Sequence, residues 1–183
     1  MKFPSNARSV YKGKIFEVFE WEQELYDGTT DTFEALKRPD TIQIIPTMGD
    51  KILISREEQP YKPLSDTLLG GRAEEGEEPL ITAKRELLEE TGLESSDWEL
   101  LKVFEIDGKI DWTIYLFVAR NCKKVAEQNL DAGERIEVRE VGFEEFLDTV
   151  THEDFWGQTI ANYILRLRLN PEKLEEFKKK LFP

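Results

Sequence analysis

The apolar positions of the first third of the chain fall in short runs broken by turn residues, and they predict strands. Residues 10–26 (VYKGKIFEVFEWEQELY) are rich in β-branched and aromatic residues. Asp27-Gly28 is a hairpin signal, and a second strand is expected from Thr30 to Lys37. Arg38-Pro39-Asp40 interrupts the pattern. Thr41–Pro46 and Lys51–Ser55 then predict another hairpin, turned at Met48-Gly49-Asp50. Residues 56–76, punctuated by Pro60, Pro63, Gly70, Gly71 and Gly76, are expected to be loop. The period changes at Pro79–Thr91. Proline suits the first helical turn and Gly92 suits the C-terminal cap, so this is the clearest helix of the chain. Strands are expected at Glu99–Ile106 and Ile110–Ala119, turned at Asp107-Gly108-Lys109, and a short one at Ile136–Val141, with residues 120–135 as loop. Helices are expected at Glu144–Val150 and Phe155–Leu169, with a charged one from Pro171. In the middle one Phe155, Ile160, Tyr163, Ile164 and Leu167 can share a face, which fits core or dimer contact better than a ligand box. The organisation implied is an N-terminal β segment over residues 1–40, followed by an α/β domain over 41–183.

Composition narrows the function classes. The chain has 183 residues, 39% of them hydrophobic, which is enough for an ordinary globular core. Its formal net charge of -13 disfavours a non-specific nucleic-acid binder, because the protein would repel phosphates. A single cysteine, Cys122, permits no internal disulfide and favours a reducing, cytoplasmic setting; it is expected to pack, not to attack. A single histidine, His152, leaves no histidine pair for zinc and no attractive Ser-His-Asp arrangement. The first residues, MKFPSNARSV, lack the apolar core of a signal peptide, and no apolar run approaches a membrane span.

The chemistry concentrates in one acidic segment. On the Pro79–Thr91 helix Glu86 and Glu90 are four residues apart and share a face, with Glu89 beside them; Ala83 and Leu87 can point into the core. Like charges at that spacing destabilise a helix slightly unless something neutralises them, and Mg²⁺, which prefers carboxylate oxygens, would do so. Arg85 can pair with Glu89 one turn on or with Glu77 before the helix. Taken alone, these acids are an ordinary solvated helix face. Their spacing to residues further back makes the difference. Gly71, Glu77, Arg85, Glu86, Leu87, Glu89, Glu90, Gly92 and Leu93 satisfy G-x5-E-x7-R-E-U-x-E-E-x-G-U, where U is a bulky aliphatic residue. The chance of such a match in this chain is on the order of 10⁻⁷.

That pattern resembles the signature of the Nudix hydrolase family. Around it, YKGKIFEVFEWEQELYDGTT, LKRPDTIQIIP and KILISREEQ are similar to the N-terminal half of ADP-ribose and nucleoside-diphosphate-sugar pyrophosphatases. The resemblance implies an α/β/α sandwich around a mixed sheet, with an N-terminal β subdomain that builds a homodimer and C-terminal helices. It implies hydrolysis of a nucleoside diphosphate linked to another group, assisted by Mg²⁺ (or Mn²⁺). The most fitting substrates are ADP-ribose or a nucleotide sugar, giving a nucleoside monophosphate and a sugar phosphate. By the same resemblance Glu86 and Glu90 are metal ligands, Glu89 is a ligand or orients water, and Arg85 orients the cluster. Gly71 lets the backbone approach metal or phosphate closely. Glu134 is the first choice for general base, in the loop before the Ile136–Val141 strand, and Glu137 the second; surface acid is the alternative for both. Arg56 matches a position that meets substrate phosphate in relatives, with a surface ion pair as the alternative. Trp21 and Tyr26 are candidates to stack on a base across a dimer, although packing within the sheet is the commoner role.

Two features depart from the ADP-ribose branch. Asp66-Thr67-Leu68-Leu69-Gly70 stands where a glutamate and a proline usually precede the box glycine, and no proline occurs between Pro79 and Pro171. Both bear on ADP-ribose as substrate, not on the reaction type. Two other functions compete. A nucleoside-triphosphate housecleaning pyrophosphatase is disfavoured by the N-terminal β region, and a catalytically silent nucleotide sensor by the complete glutamate set.

Overall fold

A computed structural model of the chain describes residues 3–106 and 108–183. Three strands open the chain: β1 (Arg8–Lys12), β2 (Glu17–Glu24) and β3 (Thr30–Lys37). The single extended run expected over residues 10–26 is therefore two strands. The Gly13 N–H bonds the Phe16 carbonyl at 2.8 Å and folds β1 back antiparallel on β2. The predicted hairpins form, with β3 at its expected bounds and β4 (Thr41–Met48) joined to β5 (Lys51–Gln59). β5 runs four residues beyond the expected Ser55, and β6 (Lys62–Thr67) pairs antiparallel with it. The stretch expected to be loop is thus partly a β-hairpin. Its prolines do not prevent this, since β6 is bonded on one side and Pro63 needs no N–H partner there.

The helix α1 (Pro79–Thr91) has its predicted bounds, with Pro79 in its first turn. Gly92 closes it in the left-handed conformation, φ 69°, with its N–H on the Leu88 carbonyl at 2.7 Å. A two-residue strand β7 (Leu93–Glu94) and β8 (Asp97–Glu105) follow. The expected strand from Ile110 to Ala119 is split at Trp112 into β9 (Ile110–Asp111) and β10 (Thr113–Arg120). The split has a cause. β9 joins the N-terminal sheet beside β3, while the Thr113 N–H is held by the Asp40 carboxylate at 2.9 Å and β10 continues in the central sheet. The expected turn at Asp107-Gly108-Lys109 includes Asp107, which lies outside the described residues. The loop expected over 120–135 holds a short strand β11 (Lys123–Lys124) against β7, and then come β12 (Arg135–Val141), α2 (Phe143–Val150), α3 (Gln158–Arg168) and α4 (Pro171–Leu181).

The central sheet runs β12-β5-β4-β10-β8, and only β4 and β10 are parallel. The strands alternate between two cores. Ile42, Ile44, Leu53, Phe117 and Ala119 face α1 and meet its Ala83 and Leu87. Ile45, Ile52, Ile54, Leu116 and Val118 face the other way and meet Phe146, Leu147, Ile160 and Ile164 of α2 and α3, with Phe177 and Leu181 of α4. This is the α/β/α sandwich with a mixed sheet. The predicted face of the third helix is core: Phe155, Ile160, Ile164 and Leu167 are buried and Tyr163 packs against them. The second sheet, β1-β2-β3-β9, belongs mostly to the N-terminal segment. Its last strand is lent by residues well beyond position 40, so the N-terminal segment is stitched to the rest of the chain. Cys122 is buried, and burial pushes its thiol up to about 11, which suits packing and not nucleophilic attack.

Candidate active site

α1 lies with its C-terminal half beside the loop that precedes it, and that loop is pinned to the sheet. The Ile42 N–H donates to the Gly71 carbonyl and the Ile44 N–H to the Leu69 carbonyl, each at 2.8 Å. Gly70 and Gly71 are therefore trapped between β4 and the helix. The Gly70 N–H donates to Glu90 Oε2 at 2.7 Å, so this carboxylate is held inside the protein, 5% exposed. The Glu86 carboxylate occupies the space where any side chain at Gly71 would stand. The two glycines thus seat two carboxylates of the same helix face against the backbone.

Arg85 organises the rest. Its Nη1 donates to Glu86 Oε1 at 2.8 Å and to Glu89 Oε2 at 3.0 Å. Its Nε and Nη2 grip Glu77 in a two-point pair at 3.1 and 3.0 Å, and Nη2 also reaches the Arg72 carbonyl. The bonds from Arg85 hold the Glu77 carboxyl at about 2, well below its ordinary range. Glu86, Glu90 and Glu134 are displaced upwards. Burial raises Glu86, with Arg85 opposing and Glu89 and Glu134 adding repulsion. Burial also holds Glu90 well above the ordinary carboxylate range, with the Gly70 N–H opposing and Glu86, Glu57 and Glu134 adding to the rise. Glu134 is raised by burial and by Asp131 beside it.

Arg85, Glu86, Glu89, Glu90 and Glu134 line one cleft of about 370 Å³. Its walls differ in charge. Glu57, Glu86, Glu89, Glu90 and Glu134 stand together, whereas Arg38 and Arg72 line another part, close enough that Arg72 lowers the affinity of Arg38 for its proton after burial has done so. The side-chain donors on the acidic side are carboxylate oxygens, Glu57 and Glu90 buried and Glu86, Glu89 and Glu134 half-buried, which is the chemistry a hard divalent cation takes. Among the described residues no group of three acidic, histidine or cysteine side chains already converges as a ready-made metal cage. The Arg85 guanidinium instead spans Glu86 and Glu89, and a cation entering beside Glu90 would share those oxygens with it.

The structure brings together Gly71, Arg85, Glu86, Glu89, Glu90 and Glu134 from the sequence-derived set. It does not bring in Arg56, Glu137, Trp21 or Tyr26. Side chains alternate along β5, so Glu57 faces the cleft and Arg56 the opposite side of the sheet, where it lines a separate hollow with Asp66, Asp148 and His152. Glu137 is the cross-strand partner of Arg56 and is exposed. Trp21 packs between Phe3 and Phe33 in the N-terminal sheet, and Tyr26 is fully exposed at the tip of the β2–β3 hairpin. Glu57, Gln43, Arg38, Tyr61 and Trp156 line the cleft without having been foreseen. The alternation that orients Glu57 was available in LISREEQ, had the strand been carried past Ser55.

Comparison with known proteins agrees with this geometry. Residues 37–161 match the NUDIX domain. The chain belongs to the Nudix family. As a Nudix hydrolase it is 30% identical to an ADP-ribose pyrophosphatase of Bacillus subtilis (strain 168), over 87% of this chain and 89% of that one. It is 31% identical to a methanol dehydrogenase activator of Bacillus methanolicus, over 89% of this chain and 90% of that one. A crystal structure of an ADP compounds hydrolase superposes with a TM-score of 0.73 at 20% identity, covering 92% of this Nudix chain and 94% of the other; that likeness speaks for the fold. Nudix hydrolases use divalent metals and act on nucleoside-diphosphate compounds, and the acidic cleft fits both. No helix among the described residues is long and apolar enough to cross a membrane.

Proposed function

We propose that this chain hydrolyses the phosphoanhydride bond of a nucleoside diphosphate linked to a sugar, ADP-ribose or a nucleotide sugar, with Mg²⁺ or Mn²⁺, releasing a nucleoside monophosphate and a sugar phosphate. The observation that carries it is the cleft with two kinds of wall, acidic around Glu86, Glu89 and Glu90 and basic at Arg38 and Arg72. Likeness to an ADP-ribose pyrophosphatase along most of both chains supports the substrate class.

Glu86, Glu89 and Glu90 would hold the cation, and the Gly71 carbonyl keeps a second lone pair free for it beyond the bond from Ile42. A bound divalent cation supplies charge neutralisation at phosphate and a more acidic water. Arg85 fixes Glu86 and Glu89 in one orientation and stays protonated throughout. Glu134 takes a proton from water: its carboxyl is raised toward the working pH by burial and Asp131, and it faces the same cleft. Arg38 and Arg72 bind the anionic part of the substrate away from the carboxylates. We also propose a homodimer through the N-terminal sheet. Its edge strand β1 is exposed along its whole length, with Val10 and Tyr11 uncovered and Ile15 and Phe16 beside them.

The test is a turnover panel with Mg²⁺ over ADP-ribose, nucleotide sugars, dinucleoside polyphosphates and nucleoside triphosphates, with Glu90→Gln alongside. Hydrolysis of a nucleoside diphosphate sugar by the parent, lost in Glu90→Gln, is expected. Pyrophosphate release from triphosphates would move the function to housecleaning, and no turnover at all would favour the sensor. Sedimentation of the pure protein tests the dimer.

A further inference from the structure

The acidic and basic walls leave one side of the cleft unexplained, and that side is aromatic. Tyr61, in the β5–β6 turn, and Trp156, just before α3, both line the cleft, with 83% and 49% of their surface open. Trp156 is exposed but not loose. Its N–H donates to the Asp66 carbonyl at 2.9 Å and its carbonyl accepts from Thr67 Oγ1 at 2.9 Å, so it is tied to the end of β6. The Lys62 ammonium lies against one face of the indole. That nitrogen is buried and has no hydrogen-bond partner among the described residues. Burial lowers it to about 8, with Glu57 resisting. A buried ammonium with no acceptor is costly to keep, and the indole face is its compensation. The fold therefore fixes the main chain of Trp156 and leaves its large planar side chain half uncovered at the cleft, with a cation against one face.

We propose that Trp156, backed by Lys62 and flanked by Tyr61, is the platform on which the nucleobase stacks, in the same protomer that carries Glu86, Glu89 and Glu90. Every base has a π face, so such a platform takes the base by stacking. The phosphates then extend toward the carboxylates and arginines that line the same cleft. Trp156 touches the substrate, whereas Lys62 is a positioning residue acting through the indole. The proposal rests on the nucleotide-hydrolase reading. It also moves base binding away from Trp21 and Tyr26, which lie outside this cleft.

The test is titration calorimetry of the full chain with AMP and, separately, with ribose 5-phosphate, which lacks the base. Trp156→Ala is expected to weaken AMP binding roughly 10- to 100-fold. Trp156→Phe should restore most of it, Tyr61→Ala should give a smaller loss, and Trp21→Ala none. Ribose 5-phosphate affinity should not move in any of these variants, and KM for the hydrolysed substrate should rise with kcat little changed. Lys62→Met should weaken AMP binding without affecting ribose 5-phosphate. Equal loss of both ligands in Trp156→Ala would make the residue structural and overturn the platform. So would unchanged AMP affinity in Trp156→Ala, or a parent that binds neither AMP nor GMP, CMP or UMP. The hydrolase reading fails separately: absent turnover with AMP binding still dependent on Trp156 would refute hydrolysis and keep the platform.

Discussion

The two glycines ahead of α1 are adjacent in sequence and should fail in opposite ways. At Gly71 an added Cβ would stand 2.5 Å from Glu86 Cδ and 2.8 Å from Glu86 Oε2, and it meets no backbone atom among its three nearest neighbours. Unstrained contact needs about 3.5 Å, so the Glu86 carboxylate must retreat by roughly 1 Å. Only the end of a flexible side chain moves. Overpacking of that kind costs about 1 kcal/mol, and replacing glycine by alanine returns a similar amount by restricting the unfolded chain. Gly71→Ala should therefore melt within about 3 °C of the parent. Its activity should fall about 100-fold, because a misplacement of about 1 Å at a reacting centre costs that much. At Gly70 the backbone sits at φ +129°, and an added Cβ would run into the Ile42 carbonyl, with Ile42 C at 3.0 Å and Gln43 Cα at 3.2 Å. Those atoms belong to the central strand β4 and cannot step aside. Strain of about 1–3 kcal/mol and overpacking of about 1–3 kcal/mol add to roughly 2–6 kcal/mol. Gly70→Ala should lower Tm by at least about 5 °C. Differential scanning calorimetry and steady-state hydrolysis of the nucleoside-diphosphate sugar that the parent turns over in the substrate panel read both quantities. A Gly71→Ala protein with parental activity, or one melting as low as Gly70→Ala, would refute the claim that Gly71 exists to seat Glu86.

Other consequences follow from the same contacts. Arg85 depresses Glu77 from 4.5 to about 2, so the stability this pair contributes is present above about pH 4.5 and is lost as pH falls toward 2. Urea unfolding across that window should show a shallower pH slope for Glu77→Gln, and parallel slopes would contradict the pairing. Mg²⁺ at about 100 times its Kd should stabilise the parent by about 2.7 kcal/mol, a rise of roughly 5–10 °C in Tm, and Glu90→Gln should lose most of that rise. Equal rises in both proteins would remove Glu90 from the metal ligands. Arg120 is buried, bonds Asp97 at 2.9 Å and also holds Glu99 and the Lys180 carbonyl, joining β10 to β8 and α4. Arg120→Met should cost about 1–3 kcal/mol in chemical denaturation while leaving turnover per folded molecule intact.

What the sequence discloses depends on how far apart the cooperating residues lie. The acids of α1 are legible because a helix fixes their relation: Glu86 and Glu90 share a face whatever surrounds them. Gly71 and Glu77 are legible through spacing, and the structure supplies the reason, since Glu77 is the fixed anchor for Arg85 and Gly71 leaves room for Glu86. Glu57 was hidden because its orientation depends on β5 continuing to Gln59, which depends in turn on pairing with β6 and β12. Arg56, singled out by its likeness to a phosphate-contacting position in relatives, lines the hollow on the other side of the sheet: one residue along a strand is the difference between the cleft and the opposite face. Trp156 joins the cleft through bonds to Asp66 and Thr67, about ninety positions earlier, and no local pattern announces such a contact.

The acidic wall also argues for its own purpose. In the folded protein Glu86, Glu90 and Glu134 hold their protons to higher pH than they would in an unfolded chain. A carboxyl raised in this way removes stability as pH climbs above its unfolded value near 4.5, so at neutral pH these three oppose folding. Apolar side chains of similar size would fill the same space at less cost. Arg85 neutralises part of the wall but is shared among Glu77, Glu86 and Glu89, and among the described residues the Glu90 carboxylate is hydrogen-bonded by the Gly70 N–H and by no cation. A small divalent ion held there, as proposed above, would relieve the repulsion, and carboxylate oxygens are the donors a hard cation takes. On the proposed function the fold would be less stable empty than filled, and the cost of holding the carboxylates together in advance would order them for the ion.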